Sequence, residues 1–169
     1  MNIFETERLT VRLLTTEDAP FIVALLNDPA FIQYIGDRGV RTTADAETYL
    51  LKGPLASYAK HGFGLFLVSL KTEGIPIGIC GLLKRDVLDD VDIGFAYLPA
   101  YVGKGYAFEA ASATLDYGRK AYGLKRIVAV TSPNNASSIR LIEKLGLRYE
   151  KMVQLTPDAP EIKLLGRNF

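Results

Sequence analysis

"DIGFAYLPAYVGKGYAFEA", residues 92–110, is the stretch of this sequence that decides the fold. Apolar residues dominate its first half as far as Pro99, which is typical of a strand that ends at a proline. Two glycines then flank Lys104, and an alanine-rich segment follows. A glycine-rich turn that opens a helix leaves backbone N–H groups free at the positive end of the helix dipole. The stretch therefore predicts an anion-binding turn, and its alternative is a flexible turn without a ligand.

Two phosphate-binding motifs do not fit this turn. A P-loop requires Ser or Thr after its lysine and a glycine five residues before the last one, but Lys104 is followed by Gly105 and Leu98 stands at the earlier position. A dinucleotide fingerprint requires a small residue where Phe108 stands, and it belongs to the first strand of its fold. These mismatches disfavour a nucleotide-binding enzyme that uses ATP.

The rest of the sequence surrounds this unit with further strands and helices. Hydrophobic periodicity, caps and turn residues delimit the segments, and Pro54 marks a kink or break in one of the helical ones. Their order predicts one α/β domain of the α+β type over residues 1–169, with a mixed, mostly antiparallel sheet of six to seven strands. A single βαβ unit lies at its centre, with helices on both faces. Strands are predicted at 8–14, 64–71, 75–86, 90–99, 125–132, 147–155 and 161–169, and helices at 15–28, 42–62, from the glycine turn to 122, and 134–146.

Composition limits the ligands and partners. The chain has 20 basic and 19 acidic residues, so no overall field attracts nucleic acid or anionic lipid. One cysteine, Cys80, and one histidine, His61, argue against a disulfide or a zinc site, so we expect no metal. No apolar run approaches the roughly 18 residues of a membrane span, and the amino terminus lacks a signal core. A soluble, cytoplasmic protein is the expectation.

The stretch 92–110, followed by SPNNASSIRLIEKLGL at 132–147, resembles the GNAT N-acetyltransferase superfamily. In that family a strand ends near a proline and a Q/R-x-x-G-x-G/A turn then holds the pyrophosphate of acetyl-coenzyme A. Gly105 and Ala107 match the last two defined positions of this turn, whereas Val102 stands where Gln or Arg is usual. The resemblance implies a GNAT fold and acetyl-coenzyme A as the cosubstrate.

Two further segments, with the motif inside 132–147, extend the resemblance over nearly the whole chain. FETERLTVRLL at 4–14 and NDPAFIQYIG at 27–36 are similar to the RimJ/RimL branch, which acetylates ribosomal-protein N-termini and also contains acetyltransferases for small molecules. The family's second motif, Asn-x-x-Ser/Ala before a helix ending in Lys-x-Gly-Phe, is matched at Asn135, Ser138, Lys144 and Gly146. The expected acceptor is therefore a protein N-terminus or a small-molecule amine, and a monomer or homodimer is expected.

The resemblance also implies roles for individual residues. Asp92 is the candidate general base, acting directly or through a water, and its alternative is an exposed strand aspartate. Ser138 is the candidate for stabilising the leaving thiolate, or an ordinary first-turn serine; the tyrosine that many members place seven residues after the motif Asn is Ile142 here. Asn135 caps its helix, binds pantetheine, or does both. The expected coenzyme-binding residues are Phe95, Ala96, Tyr97, Val102, Gly103, Lys104, Gly105, Tyr106, Ala107, Asn135 and Ser138, and the expected acceptor-lining residues are Tyr34, Asp37 and Arg38.

Two functional interpretations remain. The first is an acetyl-coenzyme A-dependent N-acetyltransferase in which the amine attacks directly within a ternary complex, so that Cys80 is not required as a nucleophile. The second is a coenzyme A-binding sensor or interaction protein on the same fold, favoured by Val102, Ile142 and the short side chain of Asp92.

Overall fold

Eight strands form one sheet in the computed structural model, which describes residues 2–169. Every neighbouring pair is antiparallel except β5 and β6, so the mixed, mostly antiparallel sheet is confirmed. The expectation of six to seven strands was one short, because the four residues of β1 are too few to show an alternating pattern. In the order β1-β2-β3-β4-β5-β6-β8-β7, the strands are β1 Asn2–Glu5, β2 Leu9–Leu13, β3 Leu65–Leu70, β4 Pro76–Leu83, β5 Asp92–Tyr97, β6 Arg126–Thr131, β8 Ile162–Asn168 and β7 Arg148–Val153.

Local signals in the sequence place most of the helices. Thr42 and Asp45 form a reciprocal capping box that starts α3. Pro54 lies within a π-helical turn, Leu51–Leu55, which carries the chain from α3 into α4 without a break. The six-residue α2 was not expected, since it is too short for helical periodicity to be visible. The helices are α1 Ala19–Leu26, α2 Pro29–Tyr34, α3 Thr43–Leu50, α4 Ala56–His61, α5 Tyr106–Tyr122 and α6 Ala136–Lys144.

The helices cover both faces of the sheet, as expected. Small residues of α5, including Ala110 and Ala111, are fully buried with apolar side chains of β2 to β6 on one face. Gly118 of α5 lies so close to the sheet that a Cβ atom there would be 3.0 Å from Leu82. α1 and α3 pack on the opposite face, where Ile22 and Leu50 are fully buried. We call these two sides the α5 face and the α1–α3 face.

The parallel pair β5 and β6 is the element that positions the site. The two strands are joined by α5, which confirms the central βαβ unit. They are paired only at Asp92 and Val128, and they separate beyond that point. The carboxyl ends of parallel strands lie at the same edge of a sheet. The glycine turn that follows β5 and the start of α6 that follows β6 therefore flank the gap between the two strands.

Candidate active site

The turn before α5 presents a row of free backbone donors. Gly103 and Gly105 have φ angles of 81° and 84°, in the left-handed region where glycine avoids steric cost. Within residues 2–169, no hydrogen bond is donated by the backbone N–H groups of residues 103 to 108. No side chain caps the helix at Gly105 either. Six successive donors at a helix amino terminus form a binding site for an anion.

Arg8 lies against this turn and supplies the positive charge that Val102 lacks. Val102 is 60% exposed and apolar. The guanidinium of Arg8 donates to the carbonyl of Lys104 at 3.1 Å and lies 4.4 Å from the ring centroid of Tyr106. One terminal nitrogen is 3.2 Å from the position that a Cβ atom on Gly105 would occupy. Sequence reasoning missed Arg8, because the separation in sequence between Arg8 and the glycine turn does not indicate that β2 borders this turn.

Glu109 holds Arg8 in place. Its carboxylate accepts hydrogen bonds from the Arg8 Nε at 2.7 Å, the Arg8 amide at 2.9 Å and the Thr6 hydroxyl at 2.6 Å. Partial burial acts to raise the pKa of Glu109, but these donors outweigh it, so the pKa is lowered. The carboxylate is therefore charged at neutral pH, and it fixes the guanidinium beside the first turn of α5.

The gap between β5 and β6 exposes main-chain groups of β5. The Leu98 amide donates a hydrogen bond to the Ile77 carbonyl of β4. Main-chain N–H and C=O groups of successive residues in a strand point to opposite sides, so those of Ala96 also point toward β4. Those of Phe95 and Tyr97 point the other way, into the gap where β6 has turned aside. An extended ligand can pair with such a free strand edge. Phe95 and Tyr97 thus fit the expected contact with pantetheine through their main chains, whereas Ala96 offers none.

Asp92 stands at the closed end of this gap, roughly 16 Å along β5 from Tyr97. Its side chain is only 1% exposed, so the alternative of an exposed strand aspartate is wrong. The Arg85 Nε donates to its Oδ1 at 3.2 Å. Burial raises the pKa of Asp92 above its ordinary value, and the nearby positive charge of Arg85 only partly offsets this effect. A buried carboxylate with a raised pKa has the properties of a general base.

The sequence of residues 8–148 matches the family described as Acetyltransferase (GNAT) domain. The chain belongs to the GNAT acetyltransferase family. It is an enzyme of the N-acetyltransferase class, which confirms the resemblance drawn from the sequence.

Known proteins with similar sequences and folds support this membership. The chain is 34% identical to the Bacillus subtilis protein named uncharacterized N-acetyltransferase YnaD, over 86% of this chain and 82% of that one. It is 30% identical to a GNAT-family acetyltransferase from Bacillus anthracis, with a TM-score of 0.80 and coverage of 99% and 98%. RimL, an α-N-protein acetyltransferase of ribosomal L7/L12 solved with coenzyme A, shares the fold with a TM-score of 0.84 at 14% identity, covering 99% and 98%.

The second GNAT motif lies across the gap from the glycine turn. The Asn135 Oδ1 accepts a hydrogen bond from the Ser138 amide at 3.3 Å, so Asn135 caps α6. The Ser138 hydroxyl has no hydrogen-bond partner within residues 2–169, and it is not bonded to Asp92. The Ile142 side chain is buried in the core and has no group that can donate a proton or a hydrogen bond. The structure thus leaves the Ser138 hydroxyl available, while the capping role of Asn135 uses only its amide oxygen.

The three residues expected to line the acceptor pocket lie at the end of α2 and in the loop between α2 and α3. Tyr34 is half-buried at the end of α2, and Asp37 and Arg38 are exposed. Asp37 is occupied within the loop, where it accepts from the Arg41 guanidinium at 2.6 Å and from the Gly39 amide at 2.8 Å. Asp37 therefore orders the loop, and Arg38 is the charged side chain that remains available.

Cys80 is unsuited to carry an acetyl group in this GNAT protein. It is fully buried, and burial raises the pKa of its thiol to about 11. Its sulfur lies 3.4 Å from the Thr114 hydroxyl, on the α5 face. A thiol with so high a pKa holds little thiolate at neutral pH, and the thiolate is the nucleophile. This agrees with direct transfer to the amine.

Tyr97 carries a buried hydroxyl with no hydrogen-bond partner within the described residues. A buried donor left unpaired costs about 1–3 kcal/mol. We expect Tyr97→Phe to leave the free energy of unfolding unchanged or to raise it by about 1 kcal/mol, measured by urea denaturation. A loss of more than about 2 kcal/mol would show that the hydroxyl has a partner in solution. Coenzyme A binding should persist in this variant, because only the main chain of Tyr97 faces the gap.

Two half-open cavities along α5 are separate from the gap between β5 and β6. These adjoining cavities of about 380 and 190 Å³ share Asp116, Arg119 and Phe169 as lining residues. Neither cavity is lined by Phe95 or Tyr97.

In residues 2–169 no group of His, Cys, Asp and Glu side chains is arranged to hold a metal ion. No helix in that range is long and apolar enough to cross a membrane.

Proposed function

We propose that the protein transfers the acetyl group of acetyl-coenzyme A to a primary amine, by direct attack of the amine in a ternary complex. The observation that carries this proposal is the row of free amides from Gly103 to Phe108, placed at the mouth of the gap between β5 and β6. RimL, which shares the fold, is an α-N-protein acetyltransferase solved with coenzyme A. The acceptor is a protein N-terminus or a small-molecule amine.

Acetyl-coenzyme A supplies the activated acetyl group as a thioester. The amides of the glycine turn hold its pyrophosphate, and main-chain groups of Phe95 and Tyr97 pair with its extended arm. Donors fixed in the gap stabilise the negative charge that develops on the carbonyl oxygen. Asp92 accepts the proton that the attacking amine loses, either directly or through one water. The Ser138 hydroxyl donates a hydrogen bond that stabilises coenzyme A as it departs as a thiolate.

The decisive assay measures thiol release from acetyl-coenzyme A with a panel of peptides, amino acids and polyamines. Amine-dependent release above the rate without acceptor is the expected result. Tight binding of coenzyme A without release from any amine would support the sensor instead, which Val102, Ile142 and the ion pair between Asp92 and Arg85 favour. Acetyl-coenzyme A that is neither bound nor consumed would refute both.

Arg8 offers a selective test of the coenzyme-binding site. We expect Arg8→Ala to raise the KM for acetyl-coenzyme A about tenfold or more, because the guanidinium both fixes the turn and adds positive charge near the pyrophosphate. The kcat at saturation should change less than threefold. With S-acetylpantetheine, which has no phosphate, kcat/KM should match that of the unaltered protein. Both substrates are measured by thiol release.

The phosphate-free substrate separates binding from damage to the fold. A variant that is merely misfolded loses activity with both substrates, whereas lost phosphate contact affects acetyl-coenzyme A alone. Lys120→Ala, which removes an exposed lysine from the last turn of α5 and breaks no ion pair in the described residues, serves as the matched control and should behave nearly as the unaltered protein. Equal losses with both substrates in Arg8→Ala would contradict a role in phosphate binding.

A further inference from the structure

The charges next to Asp92 indicate which amine the site accepts. We infer that the acceptor carries a carboxylate close to its reactive amine, and that the free nitrogens of Arg85 bind this carboxylate. This inference rests on the proposed function, since it concerns the acceptor of the same reaction. It narrows the acceptor from any primary amine to amines with a neighbouring anionic group, and it disfavours polyamines.

Arg85 is held beside the base with its two terminal nitrogens free. It follows β4 by two residues, and Leu83 at the end of β4 is paired with Asp92 in the register of the sheet. Only the Arg85 Nε is used, at 3.2 Å from the Asp92 Oδ1. Within residues 2–169 the terminal guanidinium nitrogens have no hydrogen-bond partner, and the side chain remains 32% exposed. A guanidinium in this state presents a fork that fits a carboxylate.

Asp92 and Arg85 lie on the α1–α3 face, opposite the helix that bears the glycine turn. Side chains alternate along β5, so Asp92 shares its face with Ala96, which packs against the core formed with α1 and α3. Tyr49 of α3 packs against the same core. An acceptor that approaches Asp92 from this side therefore meets Arg85 before it reaches the base.

The charged groups that act on Asp92 and on the neighbouring Tyr49 are all cations. The positive charges of Arg38 and Arg85 both act on the hydroxyl of Tyr49, and Lys84 and Arg85 both act on Asp92. Of the nearby carboxylates, Asp37 is paired with Arg41 and Asp90 with Arg126, whereas Asp86 and Asp89 are exposed to solvent. Arg38 and Lys84 form no ion pair with a carboxylate in the described residues.

This balance of charge determines which acceptor fits. The charges that act on Asp92 or on Tyr49 come from three cations, so together with the Asp92 carboxylate they sum to a positive charge even when Asp92 is ionised. A polyamine adds further positive charge and is repelled. An acceptor with a carboxylate beside its amine compensates the charge, and its binding to Arg85 places the amine near Asp92. Arg85 is therefore a specificity-determining residue, and Arg38 adds to the same field.

The test compares acceptors that differ only in the carboxylate. The first pair is L-alanine and L-alaninamide; the second is a pair of C-terminally amidated tetrapeptides that begin Ala-Glu or Ala-Gln. The kcat/KM is measured by thiol release for the unaltered protein, for Arg85→Gln and for Arg148→Gln. Arg148 begins β7 at the edge of the sheet and takes no part in this site, so it is a matched control. Spermidine is the cationic reference.

The ratio between the two members of a pair isolates charge recognition from effects on Asp92. Loss of Arg85 alters the base for both acceptors alike, so such damage cancels in the ratio. In one of the two pairs we expect the kcat/KM of the carboxylate member to be at least tenfold higher than that of its partner. A preference within the alanine pair indicates a free amino acid as the acceptor, and a preference within the peptide pair indicates an acidic protein N-terminus. The preference should fall below threefold in Arg85→Gln and persist in Arg148→Gln.

Two outcomes would overturn the inference while leaving the proposed function intact. One is faster turnover of spermidine or of the amides than of either carboxylate acceptor by the unaltered protein. The other is an undiminished carboxylate preference in Arg85→Gln. Absence of thiol release with every acceptor, the amides and spermidine included, would instead count against the proposed function itself and would remove the inference with it.

Discussion

Replacing Asp92 by Asn is expected to lower kcat about a hundredfold at neutral pH, a loss typical of removing a general base. The amide keeps nearly the same volume in a site that is only 1% exposed, so the variant should keep the fold. The proposed coenzyme A site lies at the other end of β5, so the affinity for coenzyme A should change less than threefold. Steady-state thiol release gives kcat, and isothermal titration gives the affinity.

The pH dependence provides a second signature of Asp92. The base must be ionised to accept a proton, and burial raises its pKa in the folded protein. Activity should therefore fall as the pH drops through this raised pKa, above the ordinary range of an aspartate. This acidic limb should vanish in Asp92→Asn and persist in Asp89→Asn, an exposed neighbour in the same segment. An unchanged pH–rate profile in Asp92→Asn would remove Asp92 from the mechanism.

Replacing Gly105 by Ala is expected to weaken coenzyme A binding at least tenfold. An L residue in the left-handed region costs roughly 1–2 kcal/mol, and relaxation of the φ angle of 84° turns the first amides of α5 away from a common centre. The new Cβ would also lie 3.2 Å from a terminal nitrogen of Arg8, which holds the turn. Isothermal titration with coenzyme A measures the loss.

Gly123 provides the matched control for this change. It terminates the same helix with a φ angle of 61°, and a Cβ there would have no neighbour within 4 Å. Gly123→Ala should therefore lose a similar amount of stability but bind coenzyme A normally. If both variants bound as tightly as the unaltered protein, the glycine turn would not be the pyrophosphate site.

The fold was largely predictable because its signals are local. The proline-ended strand, the glycine turn and the small-residue face of α5 lie within one continuous segment and predicted the central βαβ unit. The helical segment predicted at 42–62 likewise begins at Thr42, where the structure shows a capping box that starts α3. β1 and α2 were missed, because four and six residues are too few to express a period of two or of 3.6.

The charged surroundings of the site were less predictable because they depend on the order of the strands. Arg8 and Glu109 are 101 positions apart, and only the course of β2 past α5 brings them together. Asp92 lies beside other acidic residues in the sequence, which is typical of an exposed segment, yet its pairing with β4 and β6 buries it. The pairing of β5 with β4 also places Arg85 beside Asp92, where its terminal nitrogens are free in the described residues.

The most direct test of the account is a crystal structure of the protein with coenzyme A. We predict that the pyrophosphate oxygens lie within about 3 Å of the amides between Gly103 and Ala107, and that pantetheine extends along β5 past Phe95. Coenzyme A seated instead in the cavities beside Arg119 and Phe169, with the glycine turn unoccupied, would contradict the account.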